Sequence, residues 1–260
     1  MSDADILKIE TKDRIRLLTL NRPDRRNALS RDLSQALRKA IIAADVDNDV
    51  SVVAITGAGS AFCAGADLKD ARATDESTGG YRGPLHEPER SLYEVMIDSR
   101  KPLLAIVNGP ALAGGCELAL ACDLRVAADN AFFGVPEARR GMGAHFASVI
   151  LPTMVPPAIA MEWLYTGRRI GLDEAERWGL VNRIAPPDQL MSVAMALAGE
   201  IARSAPLSLQ RMKLTFRKSH GLPLHAGIRL DAGPDVYHSE DRKEGARAFL
   251  EKREPVWKGR

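Results

Sequence analysis

Two glutamates stand where a carboxylate is expensive. Glu117 lies in the small apolar run Ala113-Gly114-Gly115-Cys116-Glu117-Leu118-Ala119-Leu120-Ala121, and Glu137 follows the turn Phe133-Gly134-Val135-Pro136. A carboxylate among apolar neighbours must be paired, protonated or functional. The glycines before Glu117 mark the start of a helix near Gly115, where unpaired backbone N–H groups and the positive end of the helix dipole meet. Small residues there let a ligand oxygen approach the backbone. Two carboxyls beside such a site suit general acid–base work on a group whose oxygen gains negative charge. The competing reading is structural: glycines that permit tight helix–strand packing, and glutamates held in ion pairs.

A second glycine-rich segment, Thr56-Gly57-Ala58-Gly59-Ser60-Ala61-Phe62-Cys63-Ala64-Gly65-Ala66-Asp67, follows an apolar strand. A dinucleotide fingerprint starting at Gly57 would need glycine where Phe62 stands, and no Gly-Lys-Ser/Thr follows, so both nucleotide motifs fail. The histidines His86, His145, His220, His225 and His238 show no metal-ligand spacing, and no metal is expected. Cys63, Cys116 and Cys122 lack a His–Asp partner set and read as buried, inert thiols. Trp163, Trp178 and Trp257 read as packing residues on helical faces.

The positioning elements alternate. Ile15–Leu20, Ser51–Thr56, Leu103–Val107 and Asp123–Ala127 read as strands, the middle two carrying continuous apolar runs, as in sheets covered on both faces. Ser30 caps a helix with Leu33, Leu37, Ile41 and Ala44 on one stripe. Later segments are helical in pattern: Pro156–Tyr165, Asp173–Trp178 with Asp173 as N-cap and Gly179 as stop, Gln189–Arg203, Pro206–Lys218 and Asp241–Lys252. The pattern dissolves between Asp70 and Pro88, a stretch that reads as a functional lid or a mobile segment. This is an α/β chain, with residues 1–200 expected as the α/β core and 201–260 as a helical appendage to it.

Composition excludes several classes. With 260 residues, 45% hydrophobic and 27% charged, the chain can bury a core without staples. Thirty-six basic against thirty-four acidic residues leave +2, which gives no bulk attraction for nucleic acid or an anionic membrane. The stretch from Leu103 to Cys122 is broken by Asn108, Pro110 and Glu117 and does not read as a membrane span. The acidic start lacks a secretory pattern, and three cysteines fit a reducing compartment, so the expected location is cytoplasmic.

Taken together, Leu20-Asn21-Arg22-Pro23 with Asn27-Ala28-Leu29, Phe62 to Leu68, Ala113 to Ala119, Pro136-Glu137, Tyr165-Thr166-Gly167, Gly179-Leu180-Val181 and Glu240 to Gly245 resemble the crotonase (enoyl-CoA hydratase/isomerase) superfamily over nearly the whole chain. The resemblance implies a spiral of ββα units with a C-terminal helical region that builds a homotrimer or homohexamer. It implies an acyl-CoA substrate, with coenzyme A as part of that substrate and no separate cofactor. By motif position, the N–H groups of Ala66 and Gly114 would grip the thioester oxygen. Glu117 and Glu137 would hold the water that adds to a trans-2-enoyl-CoA, giving the 3-hydroxyacyl-CoA. Arg26, Ala28, Ala64, Asp67, Leu68 and Lys69 would enclose the coenzyme, with Lys252 reaching a phosphate from the terminal helix of a neighbouring protomer. Isomerisation, hydration with C–C cleavage, or non-catalytic binding of acyl-CoA or RNA are the alternatives within the fold. The chain departs from the common pattern after Glu137, where His145 and Phe146 replace small residues and would either shape the acyl pocket or simply pack. An aromatic that some relatives carry before the terminal helix is missing, with Gly233 near its place.

Overall fold

The apolar runs that read as strands become the centre of one six-stranded sheet. The computed structural model describes residues 6–67 and 90–260. In chain order the sheet strands are β1 (Leu7–Lys12), β2 (Ile15–Leu20), β3 (Val52–Gly57), β4 (Leu103–Val107), β6 (Leu124–Ala128) and β8 (Arg183–Ala185), and that is also their spatial order. Only β1 is antiparallel to its neighbour; the other pairings are parallel. A second, two-stranded parallel sheet joins β5 (Ala111–Leu112) to β7 (Phe133–Gly134).

Alternation within β3 and β4 explains why both faces are apolar. Val53, Ile55, Leu103, Ala105 and Val107 face the larger core, while Val52, Ala54, Leu104 and Ile106 face the smaller one. The larger core receives α1 (Arg31–Val46) through Leu33, Leu37, Ile41 and Ala44, the expected stripe, with Ser30 accepting from the Leu33 N–H as N-cap. The smaller core is closed by α7 (Leu190–Ala202), whose Leu190, Ala194, Ala198 and Ala202 recur every fourth residue. Three ββα units follow one another: β1–β2–α1, then β4–β5 with α3 (Gly114–Ala121), then β6–β7 with α4 (His145–Met154).

Between these, α2 (Leu92–Asp98) is a short helix with a complete capping box, Ser91 and Glu94. The remaining helices are α5 (Pro157–Thr166), α6 (Leu172–Arg177), α8 (Pro206–Ser219), α9 (Leu224–Ile228) and α10 (Glu240–Glu251). Three expectations need correction. The N-cap of α6 is Gly171, and Asp173 sits inside its first turn. Trp257 lies beyond the last helix, where its indole N–H donates to the Arg203 carbonyl at 2.6 Å. His145 is exposed at the start of α4 and so is not a packing residue. Pattern reading did not identify β1, whose outward side chains are exposed, or the seven-residue α2. The stretch from Asp70 to Pro88 lies outside the described residues.

Asn27 ties the first turn to the second. Its backbone is left-handed (φ 55°) and its side chain is wholly buried. Its Oδ1 accepts from the Arg22 N–H at 2.9 Å, and its Nδ2 donates to the Ala58 and Ala61 carbonyls at 2.9 and 2.8 Å. Asn27→Ala would leave those buried groups unpaired, at a cost of about 3 kcal/mol. Thermal melts should show a Tm lower by roughly 5–10 °C.

Candidate active site

Strands β3 and β4 are parallel neighbours, so the turns that leave their carboxyl ends meet at one edge of the sheet, the usual place for a site in such folds. The Cys63 N–H donates to Pro110 O, and Leu112 N–H donates to Cys63 O. This lattice presses the start of α3 onto the first turn. A Cβ on Gly115 would stand 2.2 Å from the Cys63 carbonyl oxygen, so only glycine fits there. The packing reading of the glycines is therefore right for Gly115.

Gly114 is different. A Cβ on it would lie 3.7 Å from the Ala66 nitrogen and 2.9 Å from the Tyr93 hydroxyl, pointing into a space shared by both. The turn is strained to reach this geometry: Gly65 has φ 95°, and Ala113, the N-cap of α3, has φ 51° and ψ −130°. Such a conformation in a residue with a side chain costs about 1–3 kcal/mol. Among the described residues, neither the Ala66 nor the Gly114 N–H donates to a backbone acceptor.

Both predicted glutamates face this region from opposite elements. Glu117 projects from the first turns of α3 and Glu137 from the 3-10 turn Pro136–Arg140, and each is only 7% exposed. Glu117 Oε1 accepts from the Ala147 N–H at 2.9 Å, in the first turn of α4. Among the described residues, Glu137 Oε2 is buried with no hydrogen-bond partner. Burial pushes the Glu117 carboxyl up to about 7; the Ala147 N–H opposes this, Glu137 adds to it and the Tyr93 hydroxyl opposes it. Burial likewise raises Glu137, with the nearby Arg140 acting against it. Desolvation is the largest influence on both carboxyls, and among the described residues neither forms a salt bridge.

The flanking residues divide. Arg26 is exposed and left-handed (φ 49°), and Ala28 and Ala64 line the joined turns, with the Ala64 N–H donating to Arg26 O at 3.0 Å. Asp67 forms an ion pair with Arg22 at 2.9 Å, both side chains being mostly buried, while Arg22 also donates to Ala28 O. Its visible work is to clamp the two turns together. Leu68 and Lys69 lie outside the described residues. Lys252 sits exposed at the left-handed end of α10, on a different element from the site. Cys63, Cys116 and Cys122 are buried free thiols, each pushed up to about 12 by burial, so none is a nucleophile at neutral pH. Tyr93 and the Ala147 N–H were not legible: a tyrosine in a short helix and a main-chain donor carry no sequence signal.

A glycine helix start close to the Ala66 nitrogen, with two buried carboxyls nearby, suits acid–base chemistry on a group whose oxygen gains negative charge. The enoyl-CoA hydratase/isomerase family model matches residues 10–260, and the chain belongs to this family, the crotonase superfamily. It is 42% identical over 256 residues to a carnitinyl-CoA dehydratase of Salmonella enteritidis PT4, covering 94% of each chain. Its fold is similar to a crystal structure of an enoyl-CoA hydratase from Mycobacterium tuberculosis H37Rv (TM-score 0.88, 37% identity, 98% of this chain and 100% of that one). A Bacillus anthracis enoyl-CoA hydratase structure gives the same TM-score at 32% identity, covering 98% and 100%. Among the described residues, no helix is long and apolar enough to cross a membrane.

Because the folded Glu117 pKa near 7 exceeds its ordinary 4.5, the native state binds more protons between those values. Stability is lost as pH rises through that window, by at most about 3 kcal/mol. Glu117→Gln keeps an acceptor for Ala147 but cannot ionise. Its Tm should exceed that of the parent at pH 8 and converge with it near pH 4.5, measured at one protein concentration.

Proposed function

We propose that the protein catalyses the reversible addition of water across the C2–C3 double bond of a 2-enoyl-CoA thioester. The observation that carries this reading is the pair of buried carboxyls near Ala66 and Gly114, whose N–H groups have no backbone partner among the described residues. The thioester oxygen accepts from Ala66 and Gly114, whose donors strengthen as enolate charge develops and so favour the transition state over the ground state. Water held between Glu117 and Glu137 gives its hydroxyl to C3 and a proton to one carboxyl, while C2 takes a proton from the pair. Dehydration runs the same steps backward. Burial raises both carboxyls, Glu117 to about 7, which favours proton exchange at Glu117 near neutral pH. The names of the relatives, one a dehydratase and two hydratases, support both directions.

In the same reading, Arg26, Ala28, Ala64 and Asp67 border the coenzyme moiety, and the acyl group lies beside the aromatic pair Tyr93 and Phe146. No cofactor is needed beyond the coenzyme A carried by the substrate. The buried free thiols support a reducing, cytoplasmic location. Assembly into a trimer or hexamer would cover Met212 and Phe216 of α8 and Phe249 and Leu250 of α10, all more than 65% exposed in the single chain. Light scattering during size-exclusion chromatography should return three or six subunits, and Phe249→Glu should shift the protein to smaller species.

Purified protein with crotonyl-CoA should lower the absorbance of the conjugated thioester, and a 3-hydroxyacyl-CoA should restore it. Glu117→Gln and Glu137→Gln should each reduce kcat by about two to four orders of magnitude. Full activity in both variants overturns the two-carboxyl mechanism. Double-bond migration without hydration points to an isomerase.

A further inference from the structure

Two helices, α2 and α4, pack against α3, the helix that carries Gly114 and Glu117. They meet each other through one aromatic pair, Tyr93 from the first turn of α2 and Phe146 from the first turn of α4. The rings are stacked, with centroids 5.0 Å apart and planes 21° apart. Both are half-buried and packed against the larger core.

Each ring is anchored from behind. The Tyr93 hydroxyl donates to the Gly114 carbonyl at 2.9 Å, which engages its one proton and pins the ring to the start of α3. Phe146 is fixed through its neighbour, because Ala147 is fully buried and its N–H donates to Glu117 Oε1 at 2.9 Å. Stacked rings also attract each other beyond the burial of their area. The pair is therefore a firm apolar surface one residue away from the amide that holds Glu117.

Gly114 shows on which side of the site this surface lies. A Cβ there would stand 2.9 Å from the Tyr93 hydroxyl, 3.7 Å from the Ala66 nitrogen and 3.7 Å from Leu29 Cδ1. Gly114 thus lies between the Leu29–Ala66 bridge and Tyr93. The Leu29 side continues into the joined turns of Arg26, Ala28 and Ala64, which border the proposed coenzyme site. A thioester carbon carries sulfur on one side and C2 on the other. With sulfur directed to those turns, C2 and C3 pass Glu117 and the rest of the acyl chain heads for the stacked rings.

We propose that the Tyr93–Phe146 stack is the end wall of the acyl site, and that Phe146 is the residue restricting the enzyme to short 2-enoyl thioesters of crotonyl size. This rests on the acyl-CoA reading above and supplies the substrate class that the reading leaves open. A longer chain would have to part the rings, and with them the Tyr93 bond to Gly114 and the first turn of α4. Its added methylenes would gain none of the burial that an open apolar channel gives. Close-packed rings do not yield gradually, so the discrimination is steep.

The test compares chain lengths in the parent, Phe146→Ala and Phe146→Trp. The parent should favour crotonyl-CoA over trans-2-decenoyl-CoA in kcat/KM. Phe146→Ala should move that ratio towards the decenoyl ester by about 10- to 100-fold. Phe146→Trp keeps an aromatic face against Tyr93, so it remains informative if the alanine variant does not fold, and it should disfavour 2-hexenoyl-CoA relative to crotonyl-CoA. Calorimetry with the saturated butanoyl-CoA and decanoyl-CoA reads the same wall without turnover: the decanoyl ester should bind the parent no more tightly than the butanoyl ester, and Phe146→Ala about 10- to 100-fold more tightly. Ratios unmoved in both variants, as a stack that only joins α2 to α4 would give, overturn the proposal even where crotonyl-CoA is hydrated. A parent that prefers the decenoyl ester overturns it too. Chain-length discrimination in binding that Phe146→Ala abolishes, in a protein that hydrates no enoyl-CoA, upholds the wall and overturns the assigned reaction instead.

Discussion

The site depends on one close approach: the first turn of α3 lies directly on the carbonyl of Cys63. With Gly115 there is just room; a single added carbon would meet that oxygen at 2.2 Å. The contact is sustained by the hydrogen bonds of Cys63 with Pro110 and Leu112, and by the parallel pairing of β3 with β4 that ends both turns at one edge. It brings the Ala66 nitrogen close to Gly114 at the start of α3, and the strain at Ala113 is a local cost of holding that turn. Burial of the apolar strands on two faces supplies the stability against which that cost is small.

The same close packing that shapes the amide pair excludes water from the glutamates. Desolvation raises both carboxyls; at Glu117, pushed up to about 7, it permits proton exchange near neutral pH and burdens the fold as pH increases. In the proposed reaction, activity and stability thus pull against each other at Glu117. The Ala147 N–H and the Tyr93 hydroxyl moderate the conflict by favouring the ionised form from two sides. Arg22 and Asp67 act at the rim in a different way, joining the turns that border the proposed coenzyme site through an ion pair that is largely sheltered from solvent.

Local pattern carried most of the frame. The Leu33–Leu37–Ile41–Ala44 stripe, the Ser30 cap and the apolar runs at β3 and β4 are all where periodicity places them, because each records which face will be buried. Where that record is thin, the reading failed. β1 exposes most of its residues, α2 has too few turns to show a period, and Gly171 rather than the acidic Asp173 caps α6. Trp257 is anchored by the Arg203 carbonyl rather than carried on a helix face.

The sequence by itself determined the chemistry available: two carboxyls in apolar surroundings, glycines at a helix start, and a chain matched along almost its whole length by one family. Tertiary structure alone decided how those groups face each other. Residue type predicts the cost of burying Glu117, but only the arrival of Ala147 and Tyr93 from α4 and α2 shows how its charge is met. The resemblance likewise implies a shared target for the Ala66 and Gly114 N–H groups, but only the packing of α3 on the Cys63 turn brings the Ala66 nitrogen close to Gly114. Hydrogen bonds and desolvation act through space over a few ångströms, and residues far apart in the chain acquire such distances only when the sheet edge is assembled.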